Sequence, residues 1–205
     1  MKINVVSIFL LLLLCSSCSL IFRTMFGFNK IASININDYN DFVSKCKDND
    51  LSMRFFISDS SYIANISKYG QTTQFKDYLK QPMQAFLFFN DSLKFFTANC
   101  LVPPKLPNLN WNYQNKFEEF PPKNTVNLDS ISLSFSNFKI VLPELRGLGN
   151  YNYIYIINWN LMTERQSFNL IDEIKNNIKK FDKMDSVSVV LINTDDFYIK
   201  SDVSF

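Results

Sequence analysis

Histidine is absent from the chain. That excludes Ser-His-Asp and Cys-His catalysis, His-ligated zinc or haem, and an imidazole general base at neutral pH. The four glycines are too few for a dinucleotide or phosphate-binding fingerprint, and the close pair Gly147 and Gly149 has no phosphate-cradle context. An excess of one charge is lacking as well. The 21 Lys+Arg face 19 Asp+Glu, a net +2, so nucleic acid is not an expected partner. No EF-hand loop occurs, and the carboxylate pairs Glu118-Glu119 and Asp195-Asp196 are adjacent in sequence, where side chains do not converge on one site. The sequence therefore predicts no catalytic residue, no metal site and no cofactor, and it leans away from an enzyme.

What is present is a core. With 47% hydrophobic and 20% charged residues, 205 residues suffice for one packed domain or two small ones sharing a core. The N-terminus is set apart. Lys2 precedes an apolar run from Val5 to Leu14, and Cys15-Ser16-Ser17-Cys18 follows. A short apolar run ending in small residues is the pattern of an export signal. Cys18 after the small pair resembles the lipobox of bacterial lipoproteins, with Cys15 standing where that motif usually carries Leu. The resemblance implies a signal peptide at 1–17, a diacylglyceryl (palmitate-bearing) anchor on Cys18, and a lipid anchor and tether at 18–35. It also implies an envelope location, with Ser19 rather than Asp after the anchor pointing to the outer membrane over the inner. The competing reading is an uncleaved helix, since Ile3 to Phe22 holds 20 uncharged residues, just enough to span a bilayer. Ser16, Ser17 and Ser19 weaken its far end as a span, which favours the lipoprotein.

The body reads as α/β, a small mixed sheet flanked by helices. An N-terminal α/β portion spans 36–100, a Pro-rich crossover 101–127, and a C-terminal βαβ portion 128–205. Tyr39, Phe42, Val43 and Cys46 share one helical face, with Asn37 or Asp38 as cap. Strands are predicted at Met53–Ile57, Ala85–Phe89, Leu93–Thr97 and Ile131–Phe135, with a hairpin turn at Asn90-Asp91-Ser92. Residues 60–80 are helix-like in places. The crossover holds five of the seven prolines, which rules out a continuous helix there. Beyond it, a strand at Tyr153–Asn158, a capping-box spacing at Thr163 to Gln166, an apolar stripe from Leu170 to Phe181, and a strand at Val187–Asn193 form a βαβ unit with a parallel pair.

The stretch Tyr153–Trp159, the helix around Leu170–Ile174, and Val187–Leu191 leading to Asp195 together resemble the first βαβ of thioredoxin-like proteins. Trp159, Asn160 and Thr163 stand on that family's Trp-Cys-x-x-Cys positions, so the resemblance implies a redox-inactive member. Pro82 ahead of Ala85–Phe89 resembles the family's proline-preceded hairpin and becomes a candidate cis-proline. The hairpin precedes the βαβ unit here, whereas the family has the reverse order. Either the sheet is permuted or the C-terminal unit is a generic βαβ.

Three chemistries remain to weigh. Cys46 and Cys100 would make a structural disulfide or buried thiols in preference to a redox pair. Asp195 sits where ligands bind at the carboxyl ends of α/β strands, although an Asp there more often makes a turn or a cap. Trp111, Tyr113, Tyr151, Tyr153 and Trp159 would form a glycan platform or simply fill the core, the second being preferred. The expected function is a non-catalytic, membrane-anchored envelope lipoprotein that binds a protein partner. Thiol-disulfide exchange through Cys46 and Cys100, or glycan binding, is the alternative.

Overall fold

Two runs without a charged residue, Tyr153–Trp159 and Val187–Asn193, form the centre of a five-stranded sheet. The computed structural model describes residues 29, 31–98, 110–148 and 151–201, so the export-signal segment, Cys18 and Cys100 lie outside the described residues. The strands are β1 (Ser52–Ile57), β2 (Gln84–Phe89), β3 (Ser92–Ala98), β4 (Tyr153–Trp159) and β5 (Val187–Asn193). Their order across the sheet is β1-β5-β4-β2-β3. β1 and β4 lie parallel to β5, while β2 pairs antiparallel with both β4 and β3. The expected N- and C-terminal portions thus contribute to one sheet. Among the described residues six α-helices accompany it: α1 (Ile36–Cys46), α2 (Tyr62–Ser67), α3 (Thr73–Tyr78), α4 (Phe135–Val141), α5 (Glu164–Lys180) and α6 (Asp195–Lys200).

Alternation along the central strands divides the core in two. Tyr155, Ile157, Val189 and Leu191 face α1 and α5, meeting Phe42, Leu170, Ile171, Ile174 and Ile178. Ile154, Ile156, Val190 and Ile192 face the other way, against Ile63 and Ile66 of α2 and Phe135 and Phe138 of α4. With both faces covered, β4 and β5 are buried at nearly every position, which is why they lack charge.

Local chemistry explains several departures from expectation. The cap of α1 is Asn35, whose side chain accepts from the Asn37 N–H at 2.9 Å; neither Asn37 nor Asp38 takes that role. Residues 60–80 form two short helices that close up at Gly70. A Cβ there would stand 2.5 Å from the Lys76 nitrogen, so only glycine admits the approach. The strand expected at Ile131–Phe135 does not form. Ser134 and Asn137 make a reciprocal capping box that starts α4 at Phe135, leaving isolated bridges at Ile131 and Ser134. The capping box expected at Thr163 is missing, because the Thr163 hydroxyl donates to Asn160 instead. Pro82 is not cis. The cis X-Pro bond among the described residues is Phe120–Pro121. The chain enters β2 through a bend in which Gln81 N–H donates to Tyr78 C=O, and the Gln84 amide to Gln81 C=O at 2.7 Å, which a trans proline fits.

The two edges of the sheet differ. At β3, the Asn124 side chain accepts from Phe96 N–H at 3.1 Å and donates to Lys94 C=O at 2.7 Å, imitating a neighbouring strand. At β1, the pairing among the described residues is with β5 alone, and Arg54 and Ile57 are exposed.

Candidate functional site

In an open α/β sheet the carboxyl ends of the parallel strands are where ligands bind, and there this chain gathers buried polar side chains. β4 ends in Asn158-Trp159-Asn160 and β5 in Asn193-Thr194-Asp195, and their polar groups are all buried. Tyr62 Oη donates to Asn158 Oδ1 at 2.9 Å, and Asn158 Nδ2 donates to Gln84 Oε1 at 3.2 Å. Asn160 Oδ1 accepts from both Thr163 N–H and Thr163 Oγ1, at 2.9 and 2.8 Å, while its Nδ2 donates to Pro82 C=O at 2.8 Å. Ser167 Oγ on α5 donates to Asn160 C=O at 3.2 Å. Three positions singled out from the thioredoxin resemblance, Pro82, Asn160 and Thr163, therefore do meet. They meet as a closed set of hydrogen bonds. Trp159 is fully buried, stacked on Phe42 at 4.0 Å.

Asp195 is placed beside them. Its two carboxylate oxygens accept from Leu161 N–H at 3.0 and 3.1 Å, and Oδ2 also accepts from Asn193 Nδ2 at 2.7 Å. Burial raises its pKa, opposed by the bonds from Asn193 and the Leu161–Met162 backbone. A raised carboxyl pKa is a property of general acids, but such a group must reach its substrate. Asp195 is 1% exposed and its oxygens are occupied, so its role is to hold the Leu161–Thr163 turn against the start of α6.

Asn29, the first described residue, also binds that turn. Its N–H donates to Met162 C=O at 2.7 Å and its side-chain amide to Leu161 C=O at 3.3 Å. Ile31 packs on the adjoining core. An open cleft of about 590 Å³, lined by Asn29, Lys45, Glu164, Arg165 and Phe168, lies at the same corner. A second, of about 470 Å³, lies between Asp91 and Ser134. Its Asp91 carboxylate is committed to Ser136 N–H at 2.6 Å.

Other candidates fare differently. Cys46 is buried in the core at the end of α1, where burial pushes its thiol up to about 12. A reactive thiol needs the opposite shift, toward a thiolate at neutral pH. Trp111 is buried and donates from Nε1 to Gln166 C=O at 3.0 Å, so neither tryptophan lies open on a surface platform. Of the proposed aromatic set, only Tyr113 is well exposed. Among the described residues no group of three His, Cys, Asp or Glu side chains could hold a metal, and no helix is long and apolar enough to cross a membrane.

One residue escaped the sequence reading entirely. Lys116, in the crossover, is 6% exposed, donates to Thr97 Oγ1 at 2.8 Å, and lies 5.7 Å from the ring centres of Trp111 and Phe117. Burial lowers its pKa to about 8. Asn158 and Asn193 lie at the far ends of apolar runs and Gln84 opens one, but nothing local showed that these amides would meet. Comparisons with protein families, with curated proteins and with solved structures give no match.

Proposed function

We propose that this chain is a lipid-anchored envelope protein whose α/β body is a redox-inactive, permuted thioredoxin-like scaffold that binds a protein partner. The observation that carries the reading is the Asn160–Thr163 pair, bonded to each other at 2.8 Å and fully buried on the positions that correspond to the family's two thiols. The pair satisfies its own polar groups beneath the surface and offers no thiol to a substrate, while the Trp159 indole N–H beside it is buried without a partner among the described residues. Antiparallel pairing of β2 with β4, which joins the hairpin β2–β3 to the unit β4–α5–β5, supports the permuted sheet.

For the partner, the open edge of β1 is the favoured surface. An unpaired edge offers a row of backbone N–H and C=O groups that an extended segment of another protein can complete. The opposite edge is already occupied by Asn124. Two measurements test the reading. The N-terminal tryptic peptide of membrane-extracted protein is expected to begin at an acylated Cys18, and a Cys18→Ser variant to lose the modification. A photo-crosslinking residue at Arg54 is expected to trap a protein in intact cells, while the same residue at Lys94 on the β3 edge does not. An unmodified Met1 would sink the anchor, and equal trapping at both edges would sink the β1 surface.

A further inference from the structure

We infer that the body is held with the carboxyl ends of β4 and β5 toward the bilayer, so that the corner formed by Asn29, the Leu161–Thr163 turn and the first turn of α5 is its membrane-facing surface. The inference rests on the lipid-anchor reading of Cys18 and deepens it by naming the surface the anchor presents.

Reach bounds the distance between the body and the bilayer. Asn29 is fixed to the body through its N–H on Met162 C=O at 2.7 Å and its amide on Leu161 C=O, with the partly buried Ile31 packed against the core just beyond. Between Cys18 and Asn29 stand ten residues, Ser19 to Phe28. Eleven Cα steps extend to at most about 40 Å. Composition shortens the stand-off further. Leu20, Ile21, Phe22, Met25, Phe26 and Phe28 are large and apolar, and the only charge in the stretch is that of Arg23. Such a segment, already tied to a membrane at one end by acyl chains, gains free energy by partitioning into the headgroup region, which draws Asn29 to the interface.

Parallel strands then fix the rest of the geometry. Trp159, Asn193 and Ile57 lie in register at the end of the sheet that carries Asn29. Tyr153, Val187 and Phe89 lie in register at the other, six residue steps away, a separation of about 20 Å at strand rise. The cleft lined by Asn29, Lys45, Glu164, Arg165 and Phe168 opens at this corner too, with Lys45 paired to Glu164 at 3.1 Å.

The experiment is energy transfer from a donor on the full-length lipidated protein to a headgroup-labelled acceptor lipid in reconstituted vesicles. Donors are placed at Asn169, on the second turn of α5, or at Asp185, before β5, both of them exposed. They are introduced by non-cysteine chemistry so that Cys46 and Cys100 stay native. Transfer is expected to be stronger from Asn169 than from Asp185, and to become equal when a long Gly-Ser segment is inserted between Phe28 and Asn29. Equal or reversed transfer without the insertion would overturn the orientation. So would a difference that survives the insertion, since the body's own surface would then be setting it. The intact mass of the same sample is read in parallel. A chain lacking the acyl mass overturns the anchor reading on which the inference stands, whereas an acylated chain with reversed transfer overturns the orientation alone.

Discussion

An ammonium removed from water loses hydration that only nearby acceptors can replace, and Lys116 has one within hydrogen-bond distance, Thr97 Oγ1. Its folded pKa of about 8 lies below the unfolded lysine value, so between the two the unfolded chain binds more protons. Stability is therefore expected to rise as pH climbs from about 8 toward about 10.4, by on the order of 3 kcal/mol. Below pH 8 the cost of the buried charge is fully present. The Glu173 carboxylate opposes it by favouring the protonated form. Lys116→Met keeps the stem and removes the charge, so its urea midpoint should exceed the wild-type value at pH 7 and converge with it by pH 10. Denaturation curves at the two pH values check this, and a wild-type midpoint that tracks the variant's at both would contradict it.

Elements depend on how they end. The last turn of α5 closes with Asp182 N–H on Lys179 C=O and Lys183 N–H on Ile178 C=O, the paired bonds of a Schellman motif. The motif places Asp182 in the left-handed region at φ 52°, where a side chain is disfavoured and glycine is at ease. Asp182→Gly is expected to stabilise the protein by about 1 kcal/mol, read as a higher Tm, with unchanged far-UV circular dichroism. This scale is also where the sequence was most informative. The apolar stripe of α5, the uncharged runs of β4 and β5 and the turn at Asn90 are local signals, and the structure follows them. It departs where a local signal met a competing partner. Thr163 had the spacing of a capping box, yet its hydroxyl was claimed by Asn160 from the end of β4. Ile131–Phe135 alternated like a strand, yet Ser134 and Asn137 captured each other and began a helix. Helix α6 is one short turn-and-a-half with little periodicity to display, and it was not anticipated.

Across the whole molecule, neighbours in space are far apart in sequence. β1 pairs with β5, and β2 with β4, so each strand of the N-terminal portion except β3 needs a partner from beyond the crossover. No reading confined to local windows could supply that pairing. The consequence is testable. A fragment of residues 36–100 leaves Phe86, Phe88, Met53 and Phe55 without the strands that cover them, and is expected to show no cooperative thermal transition on its own. The intact chain should show one. A cooperative transition in the fragment would mean that this portion is an independent domain.

The amides at the strand ends also govern how the sheet assembles. Gln84 lies opposite Asn158, and Asn158 beside Ile192, next to Asn193. Sliding β2 or β5 by one residue would turn these side chains to the wrong face and strand several buried amides and hydroxyls at once, each costing roughly 1–3 kcal/mol. Aliphatic strands as uniform as β4 and β5 would otherwise tolerate such slippage, since one Ile or Val packs much like the next. The polar corner serves as a key that only the native register turns, and the chain's fidelity in folding is concentrated in a few buried side chains at the ends of β2, β4 and β5.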